Sequence, residues 1–310
     1  MSNTTWSDRN IMDQTGKTII ITGASSGLGK EAARVLAMKR GTIVMAVRNV
    51  QKGDTVAAAI RKEYPEATLI IEHLDLSSLR SVREFSQRIA VRFETVDILI
   101  NNAGVMACPY SVTEDGFEIQ MGTNHFGHFA LTGLLLPLLI NSPSGRIVAT
   151  SSVAHRQGNI NFDDINWEKR SYKTWDAYSD SKLANLYFAY ELSRKLRDLD
   201  HAPVVTAAHP GWTATDLQKH SLIFRLMNPL VGQDVARGTL PTLRAATDPM
   251  AESGSYYGPS GFLGLAGDPV VTQSNTTSYD TEQAQRLWKL SEDLTNVQFH
   301  PIMNPSASTS

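Results

Sequence analysis

Residues 18–29 read "TIIITGASSGLG", and this stretch decides the fold. Thr18 to Thr22 are all β-branched, which suits a buried strand. Gly23, Gly27 and Gly29 follow at once and lead into a segment with Ala32, Ala33, Leu36 and Ala37 at helical spacing. A strand, a glycine turn and a helix in this order aim backbone N–H groups and a helix dipole above the strand end, which makes an anion site. In the spacing G-x3-G-x-G, Gly23 serves the tight turn, Gly27 the close approach of a pyrophosphate and Gly29 the packing of helix on strand. Ser25, Ser26 and Leu28 complete the loop. The same residues contain G-x-S-x-G, which would make Ser25 the nucleophile of a hydrolase elbow. That enzyme needs a loop before the elbow for its oxyanion hole, and an acid and a histidine after it. Almost nothing precedes this elbow, and no spacing singles out His155, His201 or His209, so Ser25 reads as a phosphate-loop residue.

Outward from the loop, apolar runs recur at 42–47 ("TIVMAV"), 68–74 ("TLIIEHL"), 96–101 ("VDILIN"), 146–151 ("RIVATS") and 203–209 ("PVVTAAH"). They are apolar nearly throughout, as strands buried on both faces of a parallel sheet must be. Helix-length segments separate them, one at 78–93 with Val82, Phe85 and Ile89 on one face. The alternation predicts an α/β doubly wound Rossmann fold. No composition shift or repeat divides the chain, so one domain is expected over 1–310. Its core spans about 16–262, between an N-terminal arm (1–15) and a C-terminal extension (263–310). Residues 155–175 and 212–233 fit the alternation poorly, and the tail from Pro301 is expected to be disordered or surface-bound.

The 310 residues are 42% hydrophobic, enough for a sizeable core. A net charge of −2 and a pI near 6.4 give no general attraction to nucleic acid or anionic membrane. With Cys108 alone, no internal disulfide can form, and a reducing, cytoplasmic setting is the simplest expectation. The polar opening "MSNTTWSDRNIMDQ" predicts neither a signal peptide nor an anchor, and "LLLPLLI" (134–140) is too short to span a bilayer. His125 and His128 stand three apart without a third ligand nearby, so no metal is expected.

The end of the second strand selects among dinucleotides. A site for NAD usually has an acid there to hold the ribose hydroxyls. This chain has "VRNVQK", in which Arg48, beside Asn49, suits a 2′-phosphate and favours NADP(H). Further on, "AYSDSKLAN" (177–185) sets Tyr178 and Lys182 four apart, on one face of a helix. A phenol beside an ammonium and an oxidised nicotinamide is expected to lose its proton near pH 7, which makes Tyr178 a candidate general acid/base. Ser152, at the end of the fifth strand, can donate to a substrate oxygen. Asn124, in "GTNHFGHF", is placed to project its amide toward the lysine.

These motifs, with "NNAG" (101–104) and "HPGWTATDL" (209–217), resemble the short-chain dehydrogenase/reductase family from about residue 16 to 262. The resemblance implies a seven-stranded parallel sheet with helices on both faces and a catalytic tetrad of Asn124, Ser152, Tyr178 and Lys182. It implies that Lys182 also holds the nicotinamide ribose, that Asp75 and Leu76 border the adenine, and that Asn101, Ala103 and Gly104 line the adenosine side. Pro210 and Gly211, with Thr213 and Thr215, are implied to meet the carboxamide. Within the family, "INNAGVMACPYSVTEDGFE" and "SKLANLYFAYEL" look most like the retinol dehydrogenase branch and its bacterial relatives. The expected substrate is a hydrophobic alcohol, aldehyde or ketone of retinoid or steroid size, and a homo-oligomer is left open. Two alternatives stand beside this: a dinucleotide-binding regulator without turnover, and a light-dependent double-bond reductase of the protochlorophyllide type.

Overall fold

The computed structural model describes residues 5–212 and 234–299. Thr213, Thr215, nearly all of the 212–233 stretch and the tail from Pro301 lie outside the described residues.

The predicted strands form within two residues of the apolar runs: β1 (Thr18–Thr22), β2 (Thr42–Val47), β3 (Leu69–His73), β4 (Ile98–Asn101), β5 (Arg146–Thr150) and β6 (Val204–Ala208). β7 (Tyr256–Pro259) and β8 (Pro269–Thr272) complete one sheet of order β3-β2-β1-β4-β5-β6-β7-β8. Alternate side chains feed opposite cores. Ile19, Ile21, Ile43 and Met45 join one cluster, whereas Ile20, Val44, Leu99 and Ile147 join the other. Period-two sorting of a continuous apolar run is what burial on both faces requires. Over one face lie α1 (Gly27–Met38), α2 (Val50–Glu63) and α6 (Val235–Thr247). Over the other lie α3 (Leu79–Arg92), α4 (Gly127–Ile140), α5 (Thr174–Lys195) and α7 (Thr281–Thr295).

Seven strands are parallel as expected, and the eighth corrects the count. β8 runs antiparallel to β7, pairing Tyr256 with Thr272 and Pro259 with Pro269. The link between them is too short for a crossover, so the chain can only double back. Ser260 N–H closes this turn on Asp268 O at 2.8 Å. β8 and α7 belong to the C-terminal extension, which packs tightly. Trp288 stacks on Phe188 and meets Phe129 and Phe299 edge-on, with ring centroids 4.6–6.0 Å apart. Gly133 of α4 permits this approach, since a Cβ there would lie 2.6 Å from both Phe299 and Val297. The N-terminal arm is likewise held, with Ile11 and Gln14 buried and Gln14 N–H bonded to Lys39 O. "LLLPLLI" falls in α4, where Pro137 is exposed and the flanking leucines enter the core.

Candidate active site

The strand order reverses between β1 and β4, and a cleft of about 680 Å³ opens there, above the carboxyl ends of the parallel strands. Gly23 (φ +69°) and Gly27 (φ +50°) adopt the left-handed backbone that the turn demands. Gly23, Ser25, Ser26, Gly27 and Leu28 line the cleft at the start of α1. Gly29 does not; a Cβ there would stand 2.5 Å from both Asn102 Nδ2 and Gly23 O, so its glycine serves packing. Such a bare, glycine-edged cradle at a helix start fits a pyrophosphate.

Thr22 ties the cradle to its neighbours. Its hydroxyl accepts from Asn102 N–H and Ala103 N–H, both at 2.9 Å, and meets His128 Nε2 at 2.9 Å. His128 Nδ1 reaches Asn124 O at 3.0 Å. Ala103 and Gly104 line the cleft, but the structure does not bring Asn101 there. Asn101 is buried in β4 and donates to Thr132 Oγ1, and Asn102 takes the position at the cleft.

At the end of β2, Arg48 and Asn49 are exposed and line the cleft together with Lys52. Asn49 caps α2 by accepting from Lys52 N–H at 2.8 Å, which fixes the first turn of that helix beside Arg48. Lys52 was missed from sequence, although it closes the same "VRNVQK" run. Asp75, whose carboxylate accepts from Ser77 N–H and Oγ, and the buried Leu76 form the neighbouring wall.

Tyr178, Lys182 and Ser152 meet at the other end. Lys182 Nζ lies 5.7 Å from the centre of the Tyr178 ring and donates to Thr150 O at 3.3 Å. Burial pushes the Tyr178 phenol up to about 12, opposed by a hydrogen bond from Ser152, and pulls Lys182 down to about 8. Among the chain's own groups burial therefore outweighs the ammonium, and the fall toward 7 expected from sequence does not arise from them.

Asn124 lies just beneath, in a π-helical turn (Gly122–Phe126) that precedes α4. Its amide exchanges two hydrogen bonds with the Val105 backbone and donates to Ser181 Oγ at 2.9 Å. The amide is not bonded to the lysine; Gly104 lies beside both, since a Cβ there would stand 3.0 Å from Asn124 Oδ1 and 3.5 Å from Lys182 Nζ. A π-turn adds one residue to the helix and re-aims the side chains around it. No periodicity in the sequence reveals it. His125 and His128 are buried and bonded to Ser291 and Thr22; among the described residues no cluster suits a metal.

Pro210 and Gly211 border this end of the cleft. Trp175, also overlooked in the sequence, lies three residues before Tyr178 on α5 and meets its ring edge-on at 6.0 Å. Val105, Met106, Val153 and Ala154 add apolar surface.

This fold and cleft define a nucleotide-binding protein of the Rossmann class. The comparisons narrow the class: the short chain dehydrogenase family matches residues 17–223, and the chain belongs to that family of oxidoreductases, which bind a nicotinamide dinucleotide. It is 42% identical to human retinol dehydrogenase 13 over 293 residues, 91% of this chain and 86% of that one. Human retinol dehydrogenase 12 is 39% identical over 290 residues, 92% and 88% of the two chains. Among solved structures, an uncharacterised protein from Mycobacterium paratuberculosis superposes with a TM-score of 0.81 at 40% identity, covering 96% of this chain and 99% of that one. A short chain dehydrogenase from Shigella flexneri, complexed with NADP, gives 0.64 at 26% identity over 80% and 97%.

Proposed function

We propose that the chain is an NADP(H)-dependent oxidoreductase acting on a hydrophobic alcohol, aldehyde or ketone. One observation carries the reading: a buried tyrosine, beside Ser152 and flanked by Lys182, shares a continuous cleft with the cations Arg48 and Lys52. The dinucleotide, when bound, supplies or accepts the hydride. Tyr178 handles the proton. Its phenol, protonated at neutral pH, delivers a proton to a carbonyl oxygen held by the Ser152 hydroxyl. Lys182, charged below about pH 8, favours the phenolate left behind. Asn124 holds the Gly104–Val105 backbone against the lysine. Two cations, Arg48 just after β2 and Lys52 in the first turn of α2, match a 2′-phosphate. The NADP carried by the Shigella flexneri relative and the names of the retinol dehydrogenases agree with this cofactor and with a bulky apolar substrate.

The test is initial-rate oxidation of NADPH and NADH with a panel of apolar aldehydes and ketones. Turnover preferring NADPH is expected. Tight NADPH binding without turnover of any compound would indicate a dinucleotide-binding regulator instead.

A further inference from the structure

We infer that His155 is a positioning residue that fixes the Ser152 turn to the C-terminal extension by bridging the Ser152 carbonyl and the Asn275 N–H. The inference rests on the catalytic reading of Ser152 and Tyr178 given above. His155 is 1% exposed, in the turn that follows Ser152 and behind the cleft wall formed by Ser152, Val153 and Ala154. Its Nδ1 lies 2.6 Å from Ser152 O and its Nε2 3.3 Å from Asn275 N, 120 residues away in the chain. A carbonyl only accepts and an N–H only donates, so both contacts demand one neutral tautomer, protonated on Nδ1. Burial supports it by pulling the imidazole down to about 4. Tyr256 packs edge-on against the ring at 5.7 Å, with its hydroxyl oxygen 3.5 Å from Nδ1, where it can share the Nδ1–H with the nearer Ser152 carbonyl.

The other end of the bridge is anchored as well. Ser274, adjacent to Asn275, bonds Tyr190 Oη at 2.8 Å, and Tyr190 lies on α5, the helix that bears Tyr178 and Lys182. One short segment of the extension thus holds both the Ser152 turn and the tyrosine helix. Their spacing is set by contacts outside the cleft. Proton transfer is steep in distance, and a misplacement of 1 Å can cost about a hundredfold in rate.

Four variants test the bridge. His155→Phe keeps the ring shape and deletes both contacts, whereas His155→Asn retains a donor near Ser152 O. Asn275→Pro removes the N–H at a residue whose φ of −71° already suits proline, and Asn275→Ala keeps the N–H while losing the side-chain cap on Ser278. For each, kcat, KM, dinucleotide affinity by fluorescence and Tm are measured. His155→Phe is expected to lower kcat about tenfold with dinucleotide affinity within about twofold of wild type. His155→Asn should recover part of that loss. Asn275→Pro should fall well below Asn275→Ala, and His155→Phe combined with Asn275→Pro should be no slower than His155→Phe alone. Wild-type kcat in a folded His155→Phe protein, or equal kcat for the two Asn275 variants, would overturn the inference. If His155→Phe fails to fold, the Asn275 pair decides. Ser152→Ala separates the two levels: an undiminished rate there would refute the catalytic reading itself.

Discussion

Replacing His128 by Asn tests how the cradle and the π-turn are held together. His128 is 3% exposed, with Nδ1 on Asn124 O and Nε2 on the Thr22 hydroxyl. The first contact requires Nδ1–H and the second a lone pair on Nε2, so the ring fits only when neutral. Burial lowers its pKa from 6.5 to about 4. A folded-state pKa below the unfolded one means that stability is complete above pH 6.5 and is lost as pH falls toward 4. From these values the unfolded state gains about 2 kcal/mol by pH 5 and about 3 kcal/mol by pH 4 from this residue alone. His155 and His209 are lowered in the same sense and add to the slope in both proteins, whereas His125, lowered by burial and then by His128, loses the second cause in the variant, which flattens its slope further. Asp180, raised to about 6 by burial, acts oppositely, and equally in both. Urea unfolding of wild type and His128→Asn at pH 7 and pH 5 isolates the difference. The variant is expected to be less stable at pH 7 yet to lose about 2 kcal/mol less on acidification. Parallel losses in the two proteins would refute the assignment of a neutral, doubly bonded ring.

Arg48→Asp and Lys52→Ala should each raise the dissociation constant for NADPH by about tenfold or more, the worth of a charge-assisted hydrogen bond, while changing NADH little; titration of intrinsic fluorescence checks this, and equal effects on the two dinucleotides would count against the 2′-phosphate site. Gly29→Ala places a Cβ against the Gly23 carbonyl, so the loop must shift. A loss of about 1–3 kcal/mol in unfolding free energy is expected, together with weakened dinucleotide binding. Wild-type affinity in that variant would show that the loop tolerates the shift.

Much of the fold was legible because a buried parallel sheet writes itself as apolar runs. β1 through β6 lie where those runs are, and the glycine loop fixes the order of the first strand and helix. β7 and β8 escaped because "YYGP" and "PVVT" carry glycine, proline and few consecutive apolar residues; neighbours, not local sequence, make them strands. Tyr178 and Lys182 were readable from helical spacing, and Arg48 from its place after β2. Lys52 and Trp175 reach the cleft only because α2 and α5 are held at particular angles. Asn101 and Asn102 were separable only by strand parity, which puts one in the core and the other at the cleft. The depth of the Tyr178 site, which dominates its proton affinity, is a property of packing that no spacing records.

The central claim is that Tyr178 moves the proton. The most direct measurement is the rate of NADPH-dependent carbonyl reduction by Tyr178→Phe, with NADPH affinity measured on the same preparation. Loss of the donor should slow turnover by about a hundredfold to ten-thousandfold, with affinity close to wild type. An undiminished rate in the phenylalanine protein would contradict the account.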